Sequence, residues 1–233
     1  MTAAARVLGS LALIVGLLGL SARSATAAND FSAAEQALFV ENHLGKLRPP
    51  LTLHYVYRKS GTMEEAFDDK VDVLLKARPD GKCCAASARF LTDTREVRQP
   101  EVEGAQGNPA ILYFLERDIR EMERLTKGKA NYFRKRIRMA VFQAATIRSV
   151  SLPFHGRPVT VQEISIAPYV DDPLRSRYEE LANKRYVFLL ASGVPGGLYG
   201  IRTRIDGDNA EAPALIVEEM LIEGAASAPK RQP

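Results

Sequence analysis

Tryptophan is absent from this 233-residue chain, cysteine occurs twice and histidine three times. Soft-metal centres need thiolate and imidazole ligands at close spacing, and this chain does not supply them. His43, His54 and His155 fall in a predicted helix, strand and turn, with no ligand-like spacing, and read as satisfied or solvated side chains. Cys83 and Cys84 are adjacent, with no C-x-x-C or H-x-x-x-H nearby, so neither a metal nor a cofactor is expected. No G-x-S-x-G occurs, and Ser192-Gly193-Val194-Pro195-Gly196 reads as a turn, not a nucleophile elbow. Gly193, Gly196 and Gly197 connect two predicted strands, whereas a phosphate-cradling loop leads into a helix. The adjacent acids Asp68-Asp69, Asp171-Asp172 and Glu218-Glu219 diverge on strands or open a helix, unlike a facing acid/base pair. These absences favour a protein that binds over one that catalyses, without settling whether a reaction occurs.

Long apolar runs are also scarce. Arg6, the run Val7–Leu20 and the A-x-A site ending at Ala27 have the form of a signal peptide, with cleavage expected after Ala27. The run is shorter than the roughly 20 residues a spanning helix needs. An exported, periplasmic protein with no transmembrane segment in its mature chain is therefore expected. Cleavage removes Arg6 and Arg23 and no acid, leaving 30 basic and 28 acidic residues and a formal charge of +2. That near-neutral balance and the compartment argue against nucleic acid as a partner. Residues 28–223 are long enough for one domain with a substantial core, and residues 224–233 read as a disordered tail.

The most organised stretch is Asn108–Ala145, which predicts a helical hairpin. Asn108 is placed to cap and Pro109 sits at the first helical position. Leu112, Leu115, Ile119 and Met122 recur at helical spacing, while Glu116–Arg120, Arg117–Glu121 and Glu123–Lys127 are spaced for i,i+4 pairing outside. Gly128 ends the first helix as a C′ glycine. A second helix opens near Asn131 and keeps Phe133, Ile137, Ala140, Val141 and Ala144 on one side. Upstream, Phe31–Leu47 predicts an amphipathic helix with Ala34, Leu38, Phe39 and Leu44 inward. Period-two alternation marks strands at 51–57, 67–76 and 84–90, then 147–152, 159–166, 186–191, 198–205 and 214–222. Asp171-Asp172-Pro173 predicts a short helix through Leu174, Tyr178 and Leu181, and 96–107 predicts a loop. The fold class is α+β: a curved antiparallel sheet of about eight strands, half-barrel-like, with an inserted helical hairpin and an N-terminal helix.

This element order resembles the unclosed β-barrels of the LolA/LolB-type periplasmic lipoprotein carriers, and the resemblance implies a half-barrel that holds acyl chains or other lipophilic ligands. It rests on order over most of the mature chain, with no residue motif. Phe114-Leu115-Glu116-Arg117-Asp118 and Tyr132-Phe133-Arg134-Lys135-Arg136-Ile137-Arg138 also resemble an exported bacterial family, which implies no activity.

Two clusters are candidate sites. Arg134, Lys135, Arg136 and Arg138 crowd one helix, where Arg134 and Arg138 repel unless an anion or the acids of the preceding helix lie between them. Cys83-Cys84 is a candidate vicinal disulfide in an oxidising compartment, or a core residue beside an unpaired thiol. Three readings follow. The first is a non-enzymatic binding or carrier protein for a lipophilic or anionic amphiphilic ligand. The second is an envelope protein-interaction or assembly factor docking through the charged hairpin. The third is a redox protein using Cys83-Cys84.

Overall fold

Alternation along Leu51–Ser60 (β1) places Leu53, Tyr55 and Tyr57 in the core and His54 and Arg58 outside. Phe67–Ala77 (β2) does the same with Val71, Val73 and Leu75, and Cys83–Phe90 (β3) with Cys84, Ala86 and Phe90. The computed structural model describes residues 31–80, 83–207, 209 and 211–226. The expected signal peptide, 1–27, and residues 227–233 lie outside the described residues. Val97–Arg98 (β4) adds a two-residue strand to the stretch expected as a loop. The remaining strands are Thr146–Phe154 (β5), Arg157–Ile166 (β6), Arg185–Leu190 (β7), Leu198–Ile205 (β8) and Ile216–Ile222 (β9).

All nine form one curved, unclosed antiparallel sheet in the order β4-β3-β2-β1-β9-β8-β7-β6-β5. Each half of the chain makes its own meander, β1–β4 and β5–β8. The last strand, β9, joins them by pairing with β1 through Tyr55↔Ile222 and with β8 through Ile201↔Met220. This is the α+β half-barrel architecture that the alternation predicts. Gly224–Ala226, at the start of the expected tail, are tied to the β5–β6 hairpin, with His155 N donating to Gly224 O (2.8 Å).

Between the meanders come Pro109–Thr126 (α2) and Ala130–Gln143 (α3), which pack on one face of the sheet. Asn108 caps α2: its side-chain oxygen accepts from Ala110 N (3.0 Å) while its amide donates to Tyr55 Oη and Gly196 O (both 2.8 Å). The glycine-rich loop after β7 owes its composition to this approach. A Cβ on Gly196 would lie 2.6 Å from a Leu53 methyl and 2.8 Å from the Asn108 amide, at a φ of +72°.

Local chemistry departs from expectation in five places. Lys127 itself takes the left-handed conformation that ends α2 (φ 56°), whereas Gly128 is needed because a Cβ there would meet the Phe133 ring at 2.6 Å. Leu112 is half exposed, since the buried stripe runs through Ile111, Phe114, Leu115, Asp118 and Met122. Ala144 lies past the end of α3 and is exposed. The N-terminal helix is short: Ala33–Glu35 (α1) continues as one π turn, Gln36–Val40, and leaves Phe39 exposed. His43 then stops it by donating from Nε2 to Ala37 O (2.8 Å) and accepting at Nδ1 from Asn108 N (3.1 Å). Finally, Asp171-Asp172-Pro173 opens two 3₁₀ turns, Arg175–Arg177 and Glu179–Asn183, with Asp172 accepting from Leu174 N (2.7 Å).

Asn108→Ala removes a cap and strips partners from Tyr55 Oη and Gly196 O inside the core. The expected loss is about 3 kcal/mol of unfolding free energy, roughly one from the cap and the rest from the buried groups, measured by urea denaturation. A loss under about 1 kcal/mol would show that water replaces these bonds.

Candidate functional site

Helix α2 carries Asp118 on its buried stripe, and β9 carries Glu218 on the buried phase between Ile216 and Met220. Both carboxylates are fully enclosed, and both face Lys184, the equally enclosed residue before β7. Asp118 accepts from Lys184 Nζ and from Tyr186 Oη (2.7 Å). Glu218 accepts from Tyr57 Oη (2.7 Å), Arg117 Nη1 (2.7 Å) and Thr203 Oγ1 (3.0 Å), with Lys184 Nζ at 3.5 Å. Burial alone would raise both acids. For Glu218 the fields of Lys184 and Arg117 and the Tyr57 hydrogen bond outweigh it, holding the carboxyl well below its usual range. For Asp118 burial prevails, reinforced by Glu218, and its carboxyl is pushed up. Burial would neutralise Lys184, but Asp118 and Glu218 reverse this and raise its pKa.

The network continues toward solvent. Lys59, on the buried phase of β1, binds Glu64 (2.8 Å) and Glu121 (3.0 Å), and Arg124 forks across the same two acids. Burial would raise Glu121, but hydrogen bonds from Arg124 and Lys59 pull its pKa down to about 2. Here the interior opens into a cleft of about 460 Å³ between the C-terminal half of α2 and the β1–β4 end of the sheet. Phe67, Leu91 and Val97 form its apolar wall; Lys59, Arg95, Arg117, Arg120 and Arg124 supply its cations, and Glu64 and Glu121 its acids. The Arg95 guanidinium lies over the Phe67 ring (4.6 Å) and that of Arg117 over Tyr57 (4.9 Å). Arg120 is exposed and, among the described residues, makes no ion pair within 4 Å.

The wall of the cleft is strained. Leu91 (φ 64°) and Asp93 (φ 52°) occupy the left-handed region, which side-chain-bearing residues seldom adopt. Asp69 holds this segment, accepting from Thr92 Oγ1 (2.8 Å), Lys70 N (2.9 Å) and Arg95 Nε (3.0 Å). Burial would raise the Asp69 pKa, but these bonds together lower it.

The residues singled out in the sequence lie elsewhere. Arg134 makes a two-pronged bond to Glu116 (2.7 and 2.6 Å), and Arg136 meets Asp172 (2.9 Å) and Pro168 O (3.2 Å), so the two arginines are drawn to different partners. Lys135 and Arg138 are exposed. Cys83 and Cys84 are joined as a vicinal disulfide at the end of β3 remote from the cleft, Cys84 buried and Cys83 half-buried. Of the i,i+4 pairs expected along α2, Arg117 is diverted to Glu218, Glu116 to Arg134 and Glu121 to Lys59. Asp118, Lys184, Glu218, Lys59, Arg95 and Arg120 were not read as site residues. Three of them carried a signal, a charge in the buried phase of an otherwise apolar element.

A second cavity of about 360 Å³ lies where β6 and the glycine-rich loop meet the chain after the N-terminal helix, lined by Asn42, His43, Thr160, Gln162 and Ser192 among others. No group of three or more metal-ligating side chains occurs among the described residues, and no helix among them is long and apolar enough to cross a membrane.

No protein-family model and no curated protein sequence matches the chain. Among solved structures it is similar to MucB, at 12% identity and a TM-score of 0.33, over 82% of this chain and 58% of that one. It is also similar to the Mycobacterium tuberculosis lipoprotein LppX, at 10% identity and a TM-score of 0.29, over 78% of this chain and 89% of that one. The chain thus spans little more than half the length of MucB.

Two outcomes test the geometry of the site. Lys184→Met leaves Asp118 and Glu218 facing each other without their shared cation; unfolding free energy is expected to fall by about 3–5 kcal/mol. A neutral result in chemical denaturation would mean that the acids protonate or hydrate at little cost. The depressed Asp69 pKa gives a stabilisation fully present above the ordinary carboxylate value of 3.8 and lost as pH falls through the lower folded value. The difference in stability between the protein and its Asp69→Asn variant is therefore expected to be constant above about pH 5 and to shrink below pH 4.

Proposed function

We propose that this chain is a non-enzymatic binding protein for an anionic amphiphile, and that the ligand lies in the cleft beside α2. The observation that carries this reading is the meeting of two surfaces in one concavity. Phe67, Leu91 and Val97 offer an apolar wall, and Arg120 and Arg124 stand beside it. The volume is in the range of small-ligand sites. An apolar tail on that wall would gain roughly 25 cal/mol per Å² of surface removed from water, and the guanidinium groups would meet an anionic head. Phe114, Tyr57, Tyr186 and the buried ion network fill the space under α2, which supports the cleft over that space as the seat of an acyl chain. The strained segment at Leu91–Asp93 supports the same location, since strain of this kind gathers at binding sites. Export to the periplasm belongs to this reading and is supported by the sequence of residues 1–27.

The test is displacement of a fluorescent acyl probe by dodecyl phosphate and by dodecanol. The phosphate is expected to bind at least tenfold more tightly. Arg120→Ala is expected to remove most of that preference and leave dodecanol affinity within about twofold, because neither the apolar wall nor the bridge of Arg124 to Glu64 and Glu121 is touched; tenfold corresponds to about 1.4 kcal/mol. Equal affinities for the two amphiphiles, or no displacement, would rule the proposal out.

A further inference from the structure

The opposite end of the helical hairpin carries a second surface. Five of the large apolar side chains exposed among the described residues are Phe31 (51%), Phe142 (51%), Leu112 (50%), Phe39 (38%) and Val40 (37%). Contacts bring three of them, Phe31, Leu112 and Phe142, to one corner. Ser32 Oγ donates to Val141 O (3.3 Å), setting Phe31 beside the end of α3. The Glu116–Arg134 bond fixes the antiparallel register of α2 and α3, which puts Leu112 across from Arg138, one turn before Phe142.

Cations edge this corner. Lys135, Arg138 and Phe142 follow one another at i, i+3 and i+7 on the outer side of α3. Both cations are exposed, and neither makes an ion pair within 4 Å among the described residues. The nearby acids are committed: Glu116 is bound to Arg134, and Glu35 closes the capping box with Ser32. Glu41, just past Val40, is the exposed acid at the rim. Scattered apolar residues would need no explanation, whereas aromatic side chains grouped beside unpaired cations form a surface suited to anionic lipid headgroups. The rings can enter the headgroup layer while the cations remain at its level. An acidic protein partner would be met by the same cations, but two half-exposed phenylalanines favour a lipid surface.

We infer that this corner is a docking surface for an anionic membrane, made by Phe31, Leu112 and Phe142 with Lys135 and Arg138. It is independent of the cleft, which lies at the other end of α2.

Co-sedimentation of the full chain with vesicles tests the inference. Vesicles of phosphatidylcholine with 30% phosphatidylglycerol are expected to bind the protein more tightly than pure phosphatidylcholine, with the difference lost at about 0.5 M salt. Lys135→Glu/Arg138→Glu is expected to reduce binding to the anionic vesicles by at least tenfold, at roughly fivefold for each cation. Phe31→Ser/Phe142→Ser is expected to weaken binding to both vesicle types. All four positions are exposed, so the melting temperature checks that the fold is unchanged. Vesicle binding that persists in both variants would assign it to another segment and overturn the inference. So would a failure to bind anionic vesicles in a protein that binds an acidic polypeptide through Lys135 and Arg138.

Discussion

Glu218 is the residue on which the arrangement turns. It sits on β9, the strand that joins the two meanders, and is bonded by a side chain from β1 (Tyr57), one from α2 (Arg117) and one from β8 (Thr203). Lys184, before β7, links it to Asp118 of α2. Apolar packing tolerates sliding by a fraction of a turn, but a buried carboxylate does not, because any register that separates it from its donors leaves a charge in a medium of low dielectric. The cluster therefore fixes how α2 lies on the sheet. Burying ions this way seldom adds net stability over an apolar core, so the specificity of docking, more than its strength, is what the network contributes.

Charge balance along the network explains the character of the cleft. Asp118, Glu218, Glu64 and Glu121 are matched by Lys184, Arg117, Lys59 and Arg124. The interior is thus neutral, and the cations nearest the core are already committed. Arg120 lies outside that balance on the same helix, in the field of Glu116, which is itself bonded to Arg134, so positive charge remains at the mouth beside Phe67, Leu91 and Val97. An anion would be met where water is still close, at small desolvation cost, while the tail is sheltered by the wall.

Strand phase and helix period made most of this fold legible. Leu53-Tyr55-Tyr57 and Val71-Val73-Leu75 alternate cleanly, and Asn108-Pro109 announces α2 at the residue where it begins. The same rules held the key to the ion network: Lys59, Glu218 and Asp118 each occupy a buried phase. Sequence alone does not bring the charges together: Lys59 binds Glu64 five residues on, but its second partner Glu121, Lys184 for Asp118 and Arg117 for Glu218 lie 62, 66 and 101 residues away. The arginine-rich stretch is divided for the converse reason. Arg134 to Arg138 are close in sequence, but a helix distributes them around its circumference, sending Arg134 to Glu116, Arg136 to Asp172 and the rest outward. Leu112 shows the limit of spacing arguments: it fits the i,i+3 series with Leu115, yet Ile111 and Phe114 take the core and turn it out.

The helical hairpin gives the two proposed surfaces a fixed relation. Leu112 and Arg124 are twelve residues apart on α2, about 18 Å along its axis at 1.5 Å per residue. The apolar corner uses the outer side of the hairpin near the start of α2, and the cleft uses the inner side near its end. Were both surfaces on the same end, a membrane seated on the first would cover the second, and ligand exchange would require the protein to leave. On opposite ends, the cleft stays open to solvent while the corner is seated. One rigid element, held in register by Asp118 and Lys184, would then keep the anionic headgroups of a bilayer from competing for Arg120.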